Sequence, residues 1–582
     1  MTKRNLTTLR YEYRLEIALF LGLFIYVIVR AVYVFYIHDE LVTKYSYMLD
    51  WNPIPFTGYF DANNHFLNSF LGGLLVRLFQ DDSMWIVRLP SILAFPIYFW
   101  SLVSFKKAFH YKSNYWLFLC FSVFSVFILD FFSISRGYAL AWSFMLLSLA
   151  LTRNYLATQK FKYSNLAILF WLLCMYSNLS LLVVSLSGIL FLLLWNIKFK
   201  QLKTLIITII SIIPIGFMAY YSMQLQNSGK LYLGGKEGFL DVSVSSLSEF
   251  HLGWTHPYLN YFFSLVFIGI IIVSAIHLMK KKDWETQLFP IFLVVTVVSA
   301  LLLNLFFDIL YPLDRGITHL LILFLGSIPF CLDNLKWKRV SLILLPFPVL
   351  LFILQANLTY ARNWKYEHFN TQLLTKIPLQ VKGIPTSTGG RFWQIDNELA
   401  RIHHFPTRVF QDSPKESDTM VDYLIQFEEL RPRIFETYDR IYQDSISELT
   451  LFQRKKFLKR KKIFENEIQV NGNGMYYDLM KKHKAIPSFI RCSGKITNPN
   501  IYEDYLIIFS AEDSVSGEKY EYGGLNPINS TRIQDDGSLL FDFTYAFGVY
   551  PETGKISCYL YNKDLNKIEG QFKLEQYEIV LK

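Results

Sequence analysis

Residues 15–37 read LEIALFLGLFIYVIVRAVYVFYI, and the tripeptide His38-Asp39-Glu40 follows them directly. The apolar stretch is long enough to cross a bilayer as a helix at about 1.5 Å per residue. It lacks the small-residue site of a cleaved signal peptide, so we expect it to remain as the first span. Placing two adjacent carboxylates at the end of a membrane span costs free energy. They indicate polar chemistry at the membrane surface, with one carboxylate acting as a general base.

The composition argues against an ordinary soluble enzyme. Of the 582 residues, 52% are hydrophobic and 17% are aromatic, which is typical of a polytopic membrane protein. The apolar residues concentrate in 15–357, whereas 358–582 has the charge density of a soluble domain. The net charge of +10 does not indicate a nucleic-acid partner, because most positive charges of the first half lie in short loops between apolar segments, where they set topology.

The apolar segments predict an α-helical polytopic membrane protein with about eleven spans. The predicted spans are 15–37, 84–105, 114–133, 137–156, 162–177, 179–196, 204–222, 259–279, 287–307, 317–333 and 340–357. With these spans, all basic clusters fall on the same side of the membrane. The clusters are Lys3/Arg4, Lys106/Lys107, Arg153/Lys160/Lys162, Lys198/Lys200/Lys203, Lys280/Lys281/Lys282 and Lys336/Lys338/Arg339. Because basic loops stay in the cytosol, His38-Asp39-Glu40 and the C-terminal region are predicted to lie outside it.

The short segment 66–79 is predicted to be an amphipathic helix in the membrane interface. Its apolar residues recur at helical spacing, whereas Asn68, Ser69 and Arg77 fall on the other face. If this segment spanned the bilayer instead, every later basic loop would lie outside the cytosol, against the charge bias.

Three domains follow from this pattern. Residues 1–357 form the predicted transmembrane domain, 358–485 a mixed α/β exoplasmic region, and 486–582 a β-sandwich-like domain with strand alternation. The five cysteines include no CxxC pair, which disfavours a zinc ribbon. Cys492 and Cys558 share the tail, and an oxidising compartment would allow a disulfide between them.

The order of short polar motifs along the first half is specific. The motifs are His38-Asp39-Glu40, Phe60-Asp61-Ala62-Asn63-Asn64-His65, Arg88-Leu89-Pro90-Ser91, Ser135-Arg136-Gly137-Tyr138 and Tyr311-Pro312-Leu313-Asp314-Arg315. In this order, roughly the first 360 residues resemble the GT-C superfamily of polytopic glycosyltransferases. They look most like the branch of protein O-mannosyltransferases and lipid A aminoarabinose transferases. The resemblance implies transfer of a sugar from a polyprenyl-phosphate donor to a protein, lipid or glycan acceptor at the exoplasmic face.

The resemblance also implies roles for individual residues. The acidic residue of the first exoplasmic loop is the catalytic base in this family, and it matches Asp39, with Glu40 beside it. The leaving lipid phosphate needs cationic partners, so Arg136 and Arg315 are candidates for phosphate binding and Arg88 is a third. Other roles stay open: solvated loop charges for the carboxylates, interfacial snorkelling for Arg136 and Arg315, and helix packing for Arg88.

Asp61 and His65 are candidates for binding the acceptor or a divalent metal, the latter with Glu40. The ligand set is not evident from the sequence, so metal dependence stays open. Arg30 lies inside the first span, where it either has a structural role or extends its guanidinium to the interface.

Two other functional classes also remain open. A polytopic transporter or flippase predicts internal repeats and charges near the mid-membrane, and the sequence shows no repeats and few such charges. A non-catalytic membrane scaffold with a glycan-binding tail would tolerate loss of Asp39. We expect an integral protein of a bacterial inner membrane, in contact with lipid, with its catalytic loop and C-terminal domain on the periplasmic side.

Overall fold

The structure of the chain is a computed structural model. It describes residues 12–580 except 55, 57–58, 200, 232–233, 255, 282, 369, 383, 404–410, 413–420, 429–433, 498, 500–504, 528–533, 535, 548–550 and 564. Four residues of the predicted basic clusters lie outside the described residues, namely Lys3, Arg4, Lys200 and Lys282. The chain forms two compact units. The first comprises Met1–Phe35 and Ser46–Asn363, and the second Tyr36–Tyr45 and Trp364–Lys582.

Helices build the first unit, and short helices also occur in the second. In chain order the described α-helices are α1 (Arg14–Tyr33), α2 (His38–Thr43), α3 (Phe66–Phe79), α4 (Met84–Ser104), α5 (Lys112–Val123), α6 (Val126–Ser133), α7 (Tyr138–Thr158), α8 (Phe161–Ser177), α9 (Leu182–Lys198), α10 (Leu202–Ile210), α11 (Ile212–Asn227), α12 (Ser245–Leu252), α13 (Pro257–Lys281), α14 (Leu288–Phe307), α15 (Thr318–Asn334), α16 (Lys338–Leu344), α17 (Pro346–Gln355), α18 (Gln372–Thr375), α19 (Trp393–Ile402) and α20 (Ile434–Thr437).

Eight helical segments among the described residues are long and apolar enough to cross a membrane. The number rises to nine if α5 and α6, which meet at a bend of 53°, form one broken span. Every predicted span coincides with helix in the structure, but α7 and α8 are not among the eight. The predicted apolar helices of membrane-spanning length are therefore present, whereas the predicted count of about eleven spans is not confirmed.

Helix α3 has the bounds predicted for the interfacial segment. Its buried face carries small and polar residues, including Asn68, Ser69 and Gly73, whereas Leu74 and Leu78 on the opposite face are exposed. The polar face thus turns towards the protein and the apolar face away from it. This is the arrangement expected of a helix whose outer side meets lipid.

Arg30 is fully buried in α1 and forms an ion pair with Asp130 of α6. The Nη2 and Oδ1 atoms are 2.6 Å apart. The guanidinium also donates to the backbone carbonyl of Tyr360 at 2.9 Å and to Asn357, beyond the last apolar helix. Asp130 in turn accepts the backbone N–H of Arg362 at 2.6 Å. Arg30 therefore has the structural role, and it does not snorkel.

The second unit contains four sheets. Strands β1 (Gln380–Val381) and β2 (Ile384–Pro385) pair as a hairpin. A five-stranded sheet has the order β4-β3-β5-β7-β6, from β3 (Thr388–Gly390), β4 (Gln411–Asp412), β5 (Tyr423–Gln426), β6 (Tyr438–Gln443) and β7 (Thr450–Arg454). In it β3 runs parallel to both β4 and β5, while β7 is antiparallel to its neighbours.

Two four-stranded antiparallel sheets follow, with the orders β13-β10-β15-β8 and β12-β11-β14-β9. Their strands are β8 (Arg460–Gly472), β9 (Tyr476–Lys484), β10 (Ser488–Ile496), β11 (Tyr505–Asp513), β12 (Lys519–Leu525), β13 (Leu539–Phe547), β14 (Gly554–Asn562) and β15 (Ile568–Ile579). One apolar core contains residues of both sheets, as in a β-sandwich. The limits predicted for the three domains stay predictions.

Cys492 and Cys558 both belong to this sandwich core, one in each sheet. Both are buried free thiols in the structure, so the disulfide that the sequence left open is not formed.

We expect Asp130→Asn to lower the free energy of unfolding by about 3–5 kcal/mol, because it leaves the Arg30 charge buried without its counter-ion. Unfolding of the purified protein in detergent measures this loss. The exposed pair Lys236–Asp308 supplies the control, with its atoms 2.9 Å apart and its side chains 65% and 79% exposed. Asp308→Asn should lower the same free energy by less than about 1 kcal/mol. Equal losses in the two variants would contradict the role of the buried pair.

Candidate functional site

The two carboxylates predicted for catalysis lie in the second unit, on helix α2. Glu40 is fully buried, and its Oε2 accepts the backbone N–H of Ile37 at 3.2 Å. Glu40 therefore caps the start of the helix. Asp39 is only half-buried, and its backbone carbonyl accepts the Thr43 hydroxyl at 2.9 Å. Of the adjacent pair, Asp39 has the carboxylate that is better placed to meet an external ligand.

Asp61 and His65 lie in the first unit, in the loop that leads into α3. Asp61 shapes this loop, because its Oδ1 accepts the backbone N–H of Asn63 at 2.8 Å and its carbonyl accepts the Tyr221 hydroxyl at 3.3 Å. The side chain of Asn64 holds the loop as well, since it donates to the carbonyl of Pro53 at 2.7 Å and accepts the Ser69 hydroxyl at 2.8 Å.

His65 is the most unusual residue of this loop. Its side chain is buried against the Tyr138 ring, with the ring centroids 5.2 Å apart. Neither ring nitrogen has a hydrogen-bond partner among the described residues. Burial lowers the pKa of His65 well below its ordinary value, and the positive charges of Arg136 and Arg315 lower it further. The imidazole is therefore neutral at pH 7, with two ring nitrogens that a ligand can engage.

Arg136 and Arg315 come from distant parts of the sequence, yet both act electrostatically on His65. Arg136 is buried in the turn between α6 and α7, where its carbonyl accepts the Ser91 hydroxyl at 3.3 Å. Ser135 in the same turn donates to the carbonyl of Val87 at 2.9 Å. Arg315 is half-buried in a 3₁₀ turn, Asp314–Ile317, that leads into α15. The two arginines that the sequence proposed for phosphate binding therefore both lie within electrostatic range of His65.

Arg88 has a different environment. It is fully buried, and its guanidinium donates to the backbone carbonyls of Ala31, Val34 and Phe35 at 3.0, 2.6 and 3.2 Å. These carbonyls lie at the end of α1 and just beyond it, where no further helical turn donates N–H groups to them. The contacts favour the helix-packing interpretation of Arg88 over phosphate binding.

Tyr47 belongs to the same group as His65, although no sequence pattern marks it. The side chain is fully buried, and its hydroxyl has no hydrogen-bond partner in the described part of the chain. Burial raises the pKa of Tyr47, and the negative charge of Asp61 raises it further. The phenol therefore keeps its proton and is able to donate it in a hydrogen bond to a ligand.

A metal centre finds no support in the described residues. They contain no group of three or more His, Cys, Asp or Glu side chains arranged to hold a metal ion. We call the first-unit residues that act on one another electrostatically the His65 cluster, and they are Tyr47, Asp61, His65, Arg136 and Arg315. The cluster combines two guanidinium groups and one carboxylate with two neutral hydrogen-bonding side chains.

Comparisons with known proteins identify no family. No family model matches the chain, and no curated protein matches it. Among solved structures, the chain is similar to the arabinosyltransferase EmbB from Mycobacterium smegmatis, determined by single-particle cryo-EM. The alignment has 10% identity and a TM-score of 0.35, and it covers 97% of this chain but 64% of that chain. A TM-score of this size does not establish a common fold.

We expect Gly137→Ala to destabilise the His65 cluster. A Cβ atom at Gly137 would overlap the carbonyl oxygen of Ser177 and lie 2.7 Å from the Cβ of His65, so the backbone beside Arg136 must move. Overpacking of this kind lowers the free energy of unfolding by about 1–3 kcal/mol. Thermal unfolding in detergent measures it.

Gly216→Ala is the matched control for this change. Gly216 lies in α11, and a Cβ atom there would meet nothing within 4 Å. The control should be neutral or slightly stabilising, because alanine favours a helix over glycine. A Gly137→Ala protein as stable as the control would contradict the tight packing inferred around His65.

Proposed function

We propose that this chain is a membrane glycosyltransferase of the GT-C type that transfers a sugar from a polyprenyl-phosphate donor to an acceptor at the exoplasmic face. The observation that carries the proposal is the His65 cluster. Arg136 and Arg315 both act electrostatically on the buried, neutral imidazole of His65, and guanidinium groups bind phosphate oxygens through charge-assisted hydrogen bonds. The phosphate of a lipid-linked donor suits this combination, because its lipid tail stays in the membrane.

In the proposed reaction Asp39 removes the proton from an acceptor hydroxyl. The acceptor oxygen bonds to C1 of the sugar while the bond between C1 and the phosphate oxygen breaks. The electron pair stays on the polyprenyl phosphate, and Arg136 and Arg315 stabilise the negative charge that develops there. Attack opposite the leaving group inverts the configuration at C1. His65 and Tyr47 are proposed to hydrogen-bond the donor as neutral groups.

The proposal includes a location and a set of partners. Asp39, the His65 cluster and the C-terminal region are proposed to face the periplasm of a bacterium, following the positive-inside pattern of the loops. The donor is a polyprenyl-phosphate sugar, and the acceptor is a protein, lipid or glycan hydroxyl. A transporter or a non-catalytic scaffold would move or bind such molecules without breaking the bond at C1.

Asp39→Asn should lower turnover about 10²- to 10⁴-fold, because it keeps the size of the side chain and removes the base. The assay uses purified protein in lipid nanodiscs, a panel of polyprenyl-phosphate sugars and release of polyprenyl phosphate as the signal. Glu40→Gln should have a smaller effect, since Glu40 caps the helix. Asp308→Asn, at an exposed carboxylate, should leave turnover unchanged. Normal turnover by Asp39→Asn would remove this residue from the mechanism, and absence of release from every donor would favour transport or binding.

Arg136→Lys and Arg315→Lys should raise the donor KM more than the acceptor KM. Lysine cannot reproduce the planar two-point contact of arginine with a phosphate. Each lost charge-assisted contact is worth about 1.5–3 kcal/mol, or roughly 10- to 150-fold in donor use. Donor-dependent rates at constant acceptor concentration measure the effect, and Arg440→Lys, an exposed arginine of the second unit, is the control. Unchanged donor dependence in both variants would place the phosphate elsewhere.

A further inference from the structure

Residues 36–45, which carry the proposed base, belong to the second unit and not to the span that precedes them. Their partners lie far along the chain, because Lys44 and its partner Glu398 are 354 residues apart in sequence. Such distant partners mean that tertiary structure, and not the local sequence, determines where helix α2 lies.

The central contact is a buried network around Glu398 of α19. Its Oε1 accepts from Lys44 Nζ at 2.9 Å, and its Oε2 accepts from the Tyr45 hydroxyl at 2.5 Å. Arg401 donates to both carboxylate oxygens at 2.7 Å each. The side chains of Lys44 and Glu398 are completely buried. One carboxylate thus receives four hydrogen bonds and balances two cations, so removing its charge weakens a contact to each of them.

A second contact holds the other end of α2. The backbone N–H of His38 donates to Oε2 of Glu367 at 2.7 Å, and Glu367 is itself buried. The Lys44 ammonium also lies over the rings of Tyr36 and Tyr45, at 5.1 and 5.3 Å from their centroids. The helix is therefore attached to the second unit at its first residue and again just after its last one.

Asp39 lies between these two attachments, and it stays half-buried while Glu40, Thr43 and Lys44 are buried. A general base must approach the acceptor proton within hydrogen-bond distance, and a displacement of about 1 Å costs about 100-fold in rate. A short helix with two distant attachments suits that requirement, because neither end can shift without breaking a charged contact.

We propose that the second unit is part of the catalytic apparatus, and that Glu398 is the positioning residue that holds the Asp39 helix in place. The inference rests on the proposed function, in which Asp39 is the base. It extends that function by assigning the C-terminal unit a role in turnover, in addition to any role in binding the acceptor.

The test combines an exchange measurement with the turnover assay on the full-length protein in nanodiscs. Hydrogen exchange in 36–45 reports attachment of the helix without reference to activity. We expect Glu398→Gln to speed exchange in 36–45 at least about 10-fold and to lower kcat about 10- to 100-fold, with the donor KM nearly unchanged. Tyr45→Phe removes one hydrogen bond and no charge, so it should speed exchange in 36–45 and lower kcat by smaller factors than Glu398→Gln does. If Glu398→Gln does not fold, Tyr45→Phe replaces it as the test variant.

Asp422→Asn is the matched control, because Asp422 and Arg460 form another buried ion pair of the same unit, 2.7 Å apart, that does not include Lys44, Glu398 or Arg401. It should leave exchange in 36–45 and kcat unchanged. Normal exchange in the Glu398 and Tyr45 variants, or faster exchange with normal kcat, would overturn the inference. Asp39→Asn is assayed in parallel: if it alone keeps full turnover, the base assignment fails, while faster exchange in Glu398→Gln still shows that Glu398 holds the helix.

Discussion

The buried ion pair between Arg30 and Asp130 is the constraint on which the membrane unit depends. An arginine in an apolar helix cannot remain charged without a counter-ion, so α6 must bring its carboxylate to α1. The same two side chains hold the chain beyond the last apolar helix, through Asn357, Tyr360 and Arg362. Helix α1, helix α6 and the segment after α17 thus meet at one ion pair. Exchange of either residue for an apolar one leaves the other charge buried alone.

Polar residues also lie on the inner face of α3. Helix α3 turns Asn68 and Ser69 inwards and leaves Leu74 and Leu78 exposed, the reverse of a helix on a soluble protein. Asn68 donates to the Ser135 hydroxyl at 3.3 Å, beside Arg136. An inward polar face of this kind supplies hydrogen-bonding partners beside a buried arginine.

Glu398 has the corresponding position in the second unit. Its carboxylate balances Lys44 and Arg401, and the segment that it holds carries the proposed base. Buried ion networks contribute little net stability compared with apolar packing, and this one connects α19 to Lys44 and Tyr45, just after α2. The second unit therefore combines a β-sandwich, whose stability comes from its apolar core, with a buried ion pair that is proposed to position the helix of Asp39.

Much of the fold was readable from local patterns. Hydropathy located helix at every predicted span and the exact limits of α3, and strand alternation indicated the sandwich that the two four-stranded sheets form. Span number was less predictable, because length and apolarity do not settle the status of α7 and α8. Among the candidate site residues, the motifs pointed to Arg136, Arg315 and His65, and in the structure both arginines act electrostatically on His65. The motifs also made Arg88 a candidate for phosphate binding, but its guanidinium donates hydrogen bonds to backbone carbonyls.

By itself, the sequence determined what depends on neighbouring residues: the apolar helices, the charge asymmetry of the loops, and the placement of acidic and basic motifs at helix ends. Tertiary structure alone decided which of those charges meet. Tyr47 carries no sequence signal, yet it is buried with its hydroxyl unpaired among the described residues. Lys44 reads as an ordinary loop lysine, yet it is completely buried against Glu398. The physical reason is that burial of a charge depends on a partner, and here the partner of Lys44 is 354 residues away in the chain.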